Sequence, residues 1–133
     1  MKFYFAGAIR GGRDRVDIFI IINELLANYG EILDKHVASP NVNKIEKNLS
    51  FEEIYNRDIK WINECDILVA EVSTPSLGVG YEIAYAENLG KRIICIYDET
   101  INISAMIGGN KTIELLSYKN TDELITKLKK KLG

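Results

Sequence analysis

Two carboxylates, Glu82 and Asp58, and one tyrosine, Tyr4, are the side chains of this sequence whose types could do acid, base or nucleophilic chemistry. Glu82 ends the segment Thr74-Pro75-Ser76-Leu77-Gly78-Val79-Gly80-Tyr81-Glu82, which joins the apolar run 67–72 to an alanine-rich helical pattern. A strand, a glycine-bearing loop and a helix form a ligand cradle at the carboxyl edge of an α/β sheet. A loop that only holds phosphate gains nothing from a negative charge there, whereas a site that attacks an electrophilic carbon does. The pattern places Glu82 in the first helical turn, where the dipole and nearby amides hold it ionised near neutral pH, as a carboxylate nucleophile requires. Acidic residues are also common in first turns for the dipole alone.

Asp58 sits in a helical pattern over 50–64 whose apolar stripe is Phe51, Ile54, Tyr55, Ile62 and Cys65. It lies four residues from both Ile54 and Ile62, so it shares their inward face. A carboxylate there is paired, capped or functional, and Arg57, Arg10 and Arg13 are the candidate partners. With Glu82 it makes the pair of carboxylates that glycosidic cleavage uses. Tyr4, in the first strand, is either a packing residue or a hydroxyl that orients a carboxylate. His36, the only histidine, is expected at the end of the second strand, on the same sheet edge. Position alone gives it a structural role more readily than a chemical one. Arg10-Gly11-Gly12-Arg13 combines two guanidinium groups, approachable backbone and a helix start, the ingredients of an anion site. An ordinary strand-to-helix turn also needs such glycines. The segment matches neither the dinucleotide fingerprint nor the Walker A pattern.

The elements that must position these residues alternate regularly. Strands are expected at 2–9, 31–37, 67–72, 92–97 and 112–118. Helices are expected from residue 13 or 14 to about 29, at 50–64 from a capping box of Ser50 and Glu53, at 81–89 and at 121–132. Gly30 and Gly90 serve as helix stops, residues 39–50 are expected as loop, and a loop through 104–109 precedes the last strand. Such alternation, without a strict period of two, predicts an α/β fold with a five-stranded parallel sheet flanked by helices. The flavodoxin-like order 2-1-3-4-5 brings the carboxyl ends of strands one and three together. Both glycine-bearing loops then face one crevice.

Bulk properties narrow the function. The 133 residues are 47% hydrophobic with a net charge of −2, and they read as one domain over 1–133. Nothing in that balance points to nucleic acid or a membrane as partner. No signal peptide or apolar run of spanning length is found. Cys65 and Cys95 lack metal-ligand spacing and read as reduced core thiols in a cytoplasmic protein. A single histidine leaves no metal site based on a histidine pair.

Across nearly its whole length the chain resembles the 2′-deoxynucleoside 5′-monophosphate N-glycosidases (Rcl type) of the nucleoside 2-deoxyribosyltransferase superfamily. The segments that carry the likeness are Tyr4-Phe-Ala-Gly-Ala-Ile-Arg-Gly-Gly-Arg13, His36-Val-Ala38, Arg57-Asp-Ile-Lys-Trp61, Pro75-Ser-Leu-Gly-Val-Gly-Tyr-Glu82 and Ser104-Ala-Met-Ile107. The resemblance implies a small Rossmann-like fold and hydrolysis of a deoxynucleoside monophosphate to free base and 2-deoxyribose 5-phosphate, without metal or organic cofactor. It implies Glu82 as nucleophile, Asp58 as acid and base, and Tyr4 as the residue that positions Glu82. Arg10, Gly11, Ser76 and Gly78 then surround the sugar phosphate, and Ile9 and His36 lie near the base. It also implies a homodimer in which Ser104 and Met106 come from the neighbouring subunit. Ala8 stands where mammalian members carry serine, which removes one hydroxyl at the phosphate end. Three other readings share these residues: a deoxyribosyltransferase that passes the sugar to a second base, a nucleotide-binding module without turnover, and a ribonucleotide phosphoribohydrolase. The last usually carries a Pro-Gly-Gly-x-Gly-Thr loop, absent here.

Overall fold

The first strand, β1 (Lys2–Ala6), alternates its side chains between two apolar layers. Phe3 and Phe5 point to one face of the sheet, Tyr4 and Ala6 to the other, and all four are buried. In the computed structural model, which describes residues 1–9 and 15–133, β1 pairs with β2 (Glu31–Ile32) on one side and β3 (Ile67–Glu71) on the other. β4 (Arg92–Asp98) and β5 (Glu114–Tyr118) extend the sheet. The order is β2-β1-β3-β4-β5 and every pairing is parallel, as the alternation of elements predicts.

One face is covered by α1 (Val16–Leu26) and α6 (Thr121–Leu132), which bury Phe19, Ile22, Leu124 and Leu128 against Phe3, Phe5, Val69 and Ile94. The other is covered by α3 (Phe51–Glu64) and α4 (Leu77–Asn88), with Ile62, Val79, Ile83 and Ala86 against Tyr4, Leu68, Ala70 and Cys95. Each large side chain so buried contributes about 1.5–3 kcal/mol. Glu82 and Asp58 belong to the two helices of this second face, and Tyr4 reaches them because it occupies an even position of β1.

Several expectations are corrected. β1 ends at Ala6 rather than residue 9. β2 stops at Ile32, not 37, because Asp34 is buried and its Oδ1 accepts the Phe5 amide at 2.8 Å. The chain then turns into a 3-10 helix (Lys35–Ala38) that carries His36. The expected loop 39–50 contains a short helix, α2 (Val42–Glu46), seated by the fully buried Val42. The segment 104–109 likewise forms a short helix, α5 (Ala105–Gly108). Residues 13 and 14, where the first helix was expected to begin, lie outside the described residues; α1 is described from Val16 and ends at Leu26 rather than about 29.

The largest correction concerns the glycine segment. α4 begins at Leu77, not 81, with Ser76 as cap accepting the Val79 amide at 3.3 Å. Gly78 and Gly80 are therefore helical. A Cβ at Gly80 would meet nothing within 4 Å, and one at Gly78 only Ser76 Oγ at 3.9 Å. Gly78 lines the cavity and leaves the first turn of α4 bare toward it. Glu82 consequently lies in the second turn, away from the amides that would hold it ionised. The capping box holds as expected: the Glu53 amide donates to Ser50 Oγ and the Ser50 amide to Glu53 Oε1, each at 3.0 Å. Gly90 ends α4 with φ 74°. No helix among the described residues is long and apolar enough to cross a membrane.

Candidate active site

A cavity of about 750 Å³ opens between α3, α4 and the carboxyl end of β1. Among the described residues its polar groups are few: Tyr4, Glu46, Asp58, Glu82, Ser76 and the hydroxyls of Tyr55 and Tyr81. The rest of its wall is apolar, including Phe51, Ile54, Ile59 and Val79. The Tyr4 hydroxyl donates a short hydrogen bond to Glu82 Oε2.

The electrostatics follow from three carboxylates lining one partly dry space. Burial pushes the Glu82 carboxyl up to about 8. The Tyr4 hydrogen bond opposes this, while the charges of Asp58 and Glu46 add to it. That overturns the expectation of a carboxylate held ionised by the helix dipole, since the dipole's donors cap the previous turn. Burial also raises Asp58, against the pull of Arg57, whose Nε donates to Asp58 Oδ1 at 2.9 Å. Glu46 goes the other way. Hydrogen bonds from Arg57 and His36 outweigh its burial and hold it below its ordinary value. Tyr4 is raised well above its ordinary value, by burial first and then by the neighbouring carboxylates, so it stays a donor. Asp34, buried behind β1, is also raised by desolvation. Its Oδ2 has no partner among the described residues.

Of the residues singled out from sequence, Tyr4, Asp58, Glu82, Ile9, Ser76 and Gly78 all line this cavity. His36 does not: it stands behind Glu46, its Nε2 2.9 Å from Glu46 Oε2 and its ring 5.8 Å from that of Trp61. Ser104 caps α5 by accepting the Met106 amide at 3.2 Å. Met106 is 81% exposed, and neither residue lines the cavity of this chain. Arg10 and Gly11, like Arg13, lie outside the described residues. Asp58 is paired with Arg57, one of its expected partners, and it also lines the cavity. Glu46 was not anticipated. A buried acid in an asparagine- and lysine-rich stretch is signalled only by Val42 four residues before it. Among the described residues no group of three or more His, Cys, Asp or Glu is placed to hold a metal ion.

The chain has clear relatives among known proteins. Residues 3–123 match the family model described as nucleoside 2-deoxyribosyltransferase. The chain is 39% identical over 126 residues to the 5-hydroxymethyl-dUMP N-hydrolase of Danio rerio, covering 92% of this chain and 88% of that protein. It is 40% identical over 135 residues to a protein of Syntrophotalea carbinolica that carries the provisional name 2′-deoxynucleoside 5′-phosphate N-hydrolase 1, covering 100% and 95%. Among solved structures, the CMP N-glycosidase of Clostridium botulinum superposes with a TM-score of 0.69 at 22% identity, covering 97% of this chain and 99% of that one. The 2-deoxyribosyltransferase of Bacillus psychrosaccharolyticus gives 0.68 at 17% identity, covering 94% and 90%. At such identities the structural likeness speaks for the fold.

Proposed function

The chain belongs to the nucleoside 2-deoxyribosyltransferase family, and from that premise we propose that it hydrolyses the N-glycosidic bond of 2′-deoxynucleoside 5′-monophosphates to free base and 2-deoxyribose 5-phosphate. The observation that carries this reading is the trio of Tyr4, Glu82 and Asp58 in one cavity, with the first two hydrogen-bonded. The relatives named as N-hydrolases of deoxynucleotides support it.

Glu82 attacks the anomeric carbon as the bond to the base breaks, giving a glycosyl ester. Asp58 delivers a proton to the departing base, then takes one from the water that opens the ester. Deoxyribose lacks the 2′-hydroxyl that would disfavour the cation-like transition state. Tyr4 fixes the attacking carboxylate by its hydrogen bond to Oε2. The proton balance follows from the raised carboxyls. Burial raises both carboxyls, and at the moment of attack Glu82 must be ionised while Asp58 holds the proton for the base. Positive charge developing on the sugar favours that arrangement, because it stabilises the ionised form of Glu82.

Ser76 and Gly78, at the start of α4, are suited to the sugar phosphate by the bare backbone and amides of that turn. Arg10 and Gly11 complete this end in the proposal, and Ile9 borders the base. No metal or organic cofactor enters the reaction. A second copy of the chain supplies Ser104 and Met106, and the exposure of Met106 and Leu77, 81% and 97%, supports a homodimer. The buried free thiols Cys65 and Cys95 suit a cytoplasmic setting. The family's transferases keep a second reading open, in which a base rather than water takes the sugar. Incubating the protein with deoxynucleoside monophosphates, with and without an acceptor base, tests both. Free base and deoxyribose 5-phosphate are expected, and base exchange on unphosphorylated nucleosides would replace hydrolysis by transfer.

A further inference from the structure

Asp58 serves the proposed reaction twice, first giving a proton and then taking one, and the cation paired with it stands outside the cavity. Arg57 does not line that space. Its Nε donates to Asp58 Oδ1 at 2.9 Å, and Nη2 stands 2.9 Å from the same oxygen. Oδ2 of this cavity-lining side chain accepts no hydrogen bond among the described residues. Arg57 is itself held. Its Nη2 donates to Glu46 Oε2 at 2.6 Å, and that oxygen, on a residue 6% exposed, lies 2.9 Å from His36 Nε2. The guanidinium also lies over the Trp61 ring, 5.0 Å from its centre. Arg57 is thus restrained by α2 directly, by the 3-10 helix through Glu46 and by its own helix through Trp61. Two carboxylates share its charge.

We propose that Arg57 is a positioning residue for Asp58: it pins Oδ1 and so reserves Oδ2 for the proton that passes to the base and is later taken back from water. In the first step the bond from the anomeric carbon to the base nitrogen breaks with its electron pair going to the base. Glu82 bonds to the carbon, and the proton leaves Asp58 Oδ2. In the second step the oxygen of water bonds to the carbon, the ester bond returns its pair to Glu82, and a proton of the water goes to Oδ2. Both carboxyls end as they began. The inference rests on the nucleotide-hydrolase reading above. The titratable groups around Asp58 are Arg57 on α3, Glu46 on α2 with His36 behind it, Glu82 on α4, Tyr4 on β1 and Asp34 behind that strand. Arg57 lowers both Asp58 and Glu82, whereas Glu46 raises both. Loss of either charge therefore moves the two catalytic carboxyls in opposite directions.

The test measures kcat, KM and the pH profile of kcat/KM, which reports ionisations of the free protein, with dAMP, dCMP, dGMP and dTMP. The proteins are the wild type, Arg57→Gln, Arg57→Lys and Glu46→Gln. Arg57→Gln is expected to lower kcat about 10- to 100-fold and to move both limbs of the profile to higher pH. Glu46→Gln moves them to lower pH. Arg57→Lys keeps the charge but not the planar fork, so its limbs stay near those of the wild type while kcat falls. Limbs unmoved in Arg57→Gln and Glu46→Gln, or moved the same way in both, overturn the inference and leave Arg57 a structural clamp. Full kcat in Arg57→Lys overturns it too, as does a rise in KM alone, which would make Arg57 a substrate-binding residue. Where Arg57→Gln does not fold, the direction in Glu46→Gln and the kcat of Arg57→Lys decide. Each of these failures, seen beside wild-type hydrolysis, defeats the positioning role alone. Absence of hydrolysis by the wild type defeats the hydrolase, and this inference with it.

Discussion

The Tyr4 hydroxyl donates to Glu82 Oε2 across 78 residues of sequence, joining the first strand to the helix after the third. That bond is the chief lowering influence on a carboxyl that burial drives to about 8. Removing it with Tyr4→Phe leaves the fold's apolar contacts in place and takes away the hydrogen bond that opposes burial and the neighbouring carboxylates at Glu82. A hydrogen bond to a charged group is worth about 1.5–3 kcal/mol, so kcat should fall roughly 10- to 100-fold. Steady-state kinetics with an unchanged circular dichroism spectrum checks this. Wild-type activity in Tyr4→Phe would remove the tyrosine from the mechanism.

The proton required on Asp58 predicts the shape of the pH profile. The singly protonated pair of Glu82 and Asp58 is the active form, so kcat/KM should be bell-shaped with its alkaline fall near pH 8. Tyr4→Phe moves that fall to higher pH. In Asp58→Asn no acid remains to be lost, and the residual rate should rise with pH and then level off. An alkaline fall persisting in Asp58→Asn would assign the proton elsewhere.

Stability should carry the same signature in the opposite sense to most carboxylates. Glu82 in the folded chain holds its proton up to about 8, against an ordinary value of 4.5. Between those values the native state binds the extra proton, so its contribution is complete below about pH 4.5 and is lost as pH rises through about 8. Glu82→Gln should therefore flatten the pH dependence and stabilise the protein by at least about 1 kcal/mol above pH 8, with little change at pH 5. Urea unfolding at the two pH values measures it. A parallel pH dependence in both proteins would mean that Glu82 is not desolvated in the empty site.

The proposed second subunit is tested at Met106, whose exposure of 81% makes a charge harmless to the isolated fold. Met106→Asp should shift the sedimentation of the protein from dimer to monomer and lower activity with it. A fully active monomer would show that one chain holds the whole site.

Much of this arrangement was legible in the residues, and the exceptions have physical causes. The strands β3 and β4 are continuous apolar runs buried on both faces, and their parallel order follows from the helices between them. α3 announced itself through the Ser50 and Glu53 box and its stripe, which was enough to aim Asp58 inward. The start of α4 was hidden because Gly78 and Gly80 look like loop, although both are helical here and Gly78 lines the cavity. That four-residue shift moves Glu82 from the first turn of the helix to the second, away from the amides expected to hold its charge. β2 seemed longer because Leu33 and Val37 continue its apolar character. The buried hydrogen bond of Asp34 to the Phe5 amide, a contact across 29 residues, ends it instead. Glu46 escaped notice because α2 is five residues long, too short for periodicity to reveal a face.

The central claim is that Glu82 attacks the sugar carbon. The most direct measurement is hydrolysis of deoxynucleoside monophosphates by the wild type and Glu82→Ala, with rapid acid quench and intact-protein mass spectrometry during turnover. The wild type should release base and carry, transiently, the mass of one deoxyribose 5-phosphate less water, placed on Glu82 by peptide mapping. Glu82→Ala should show neither. Full hydrolysis by Glu82→Ala, or an adduct on another residue, would contradict the account.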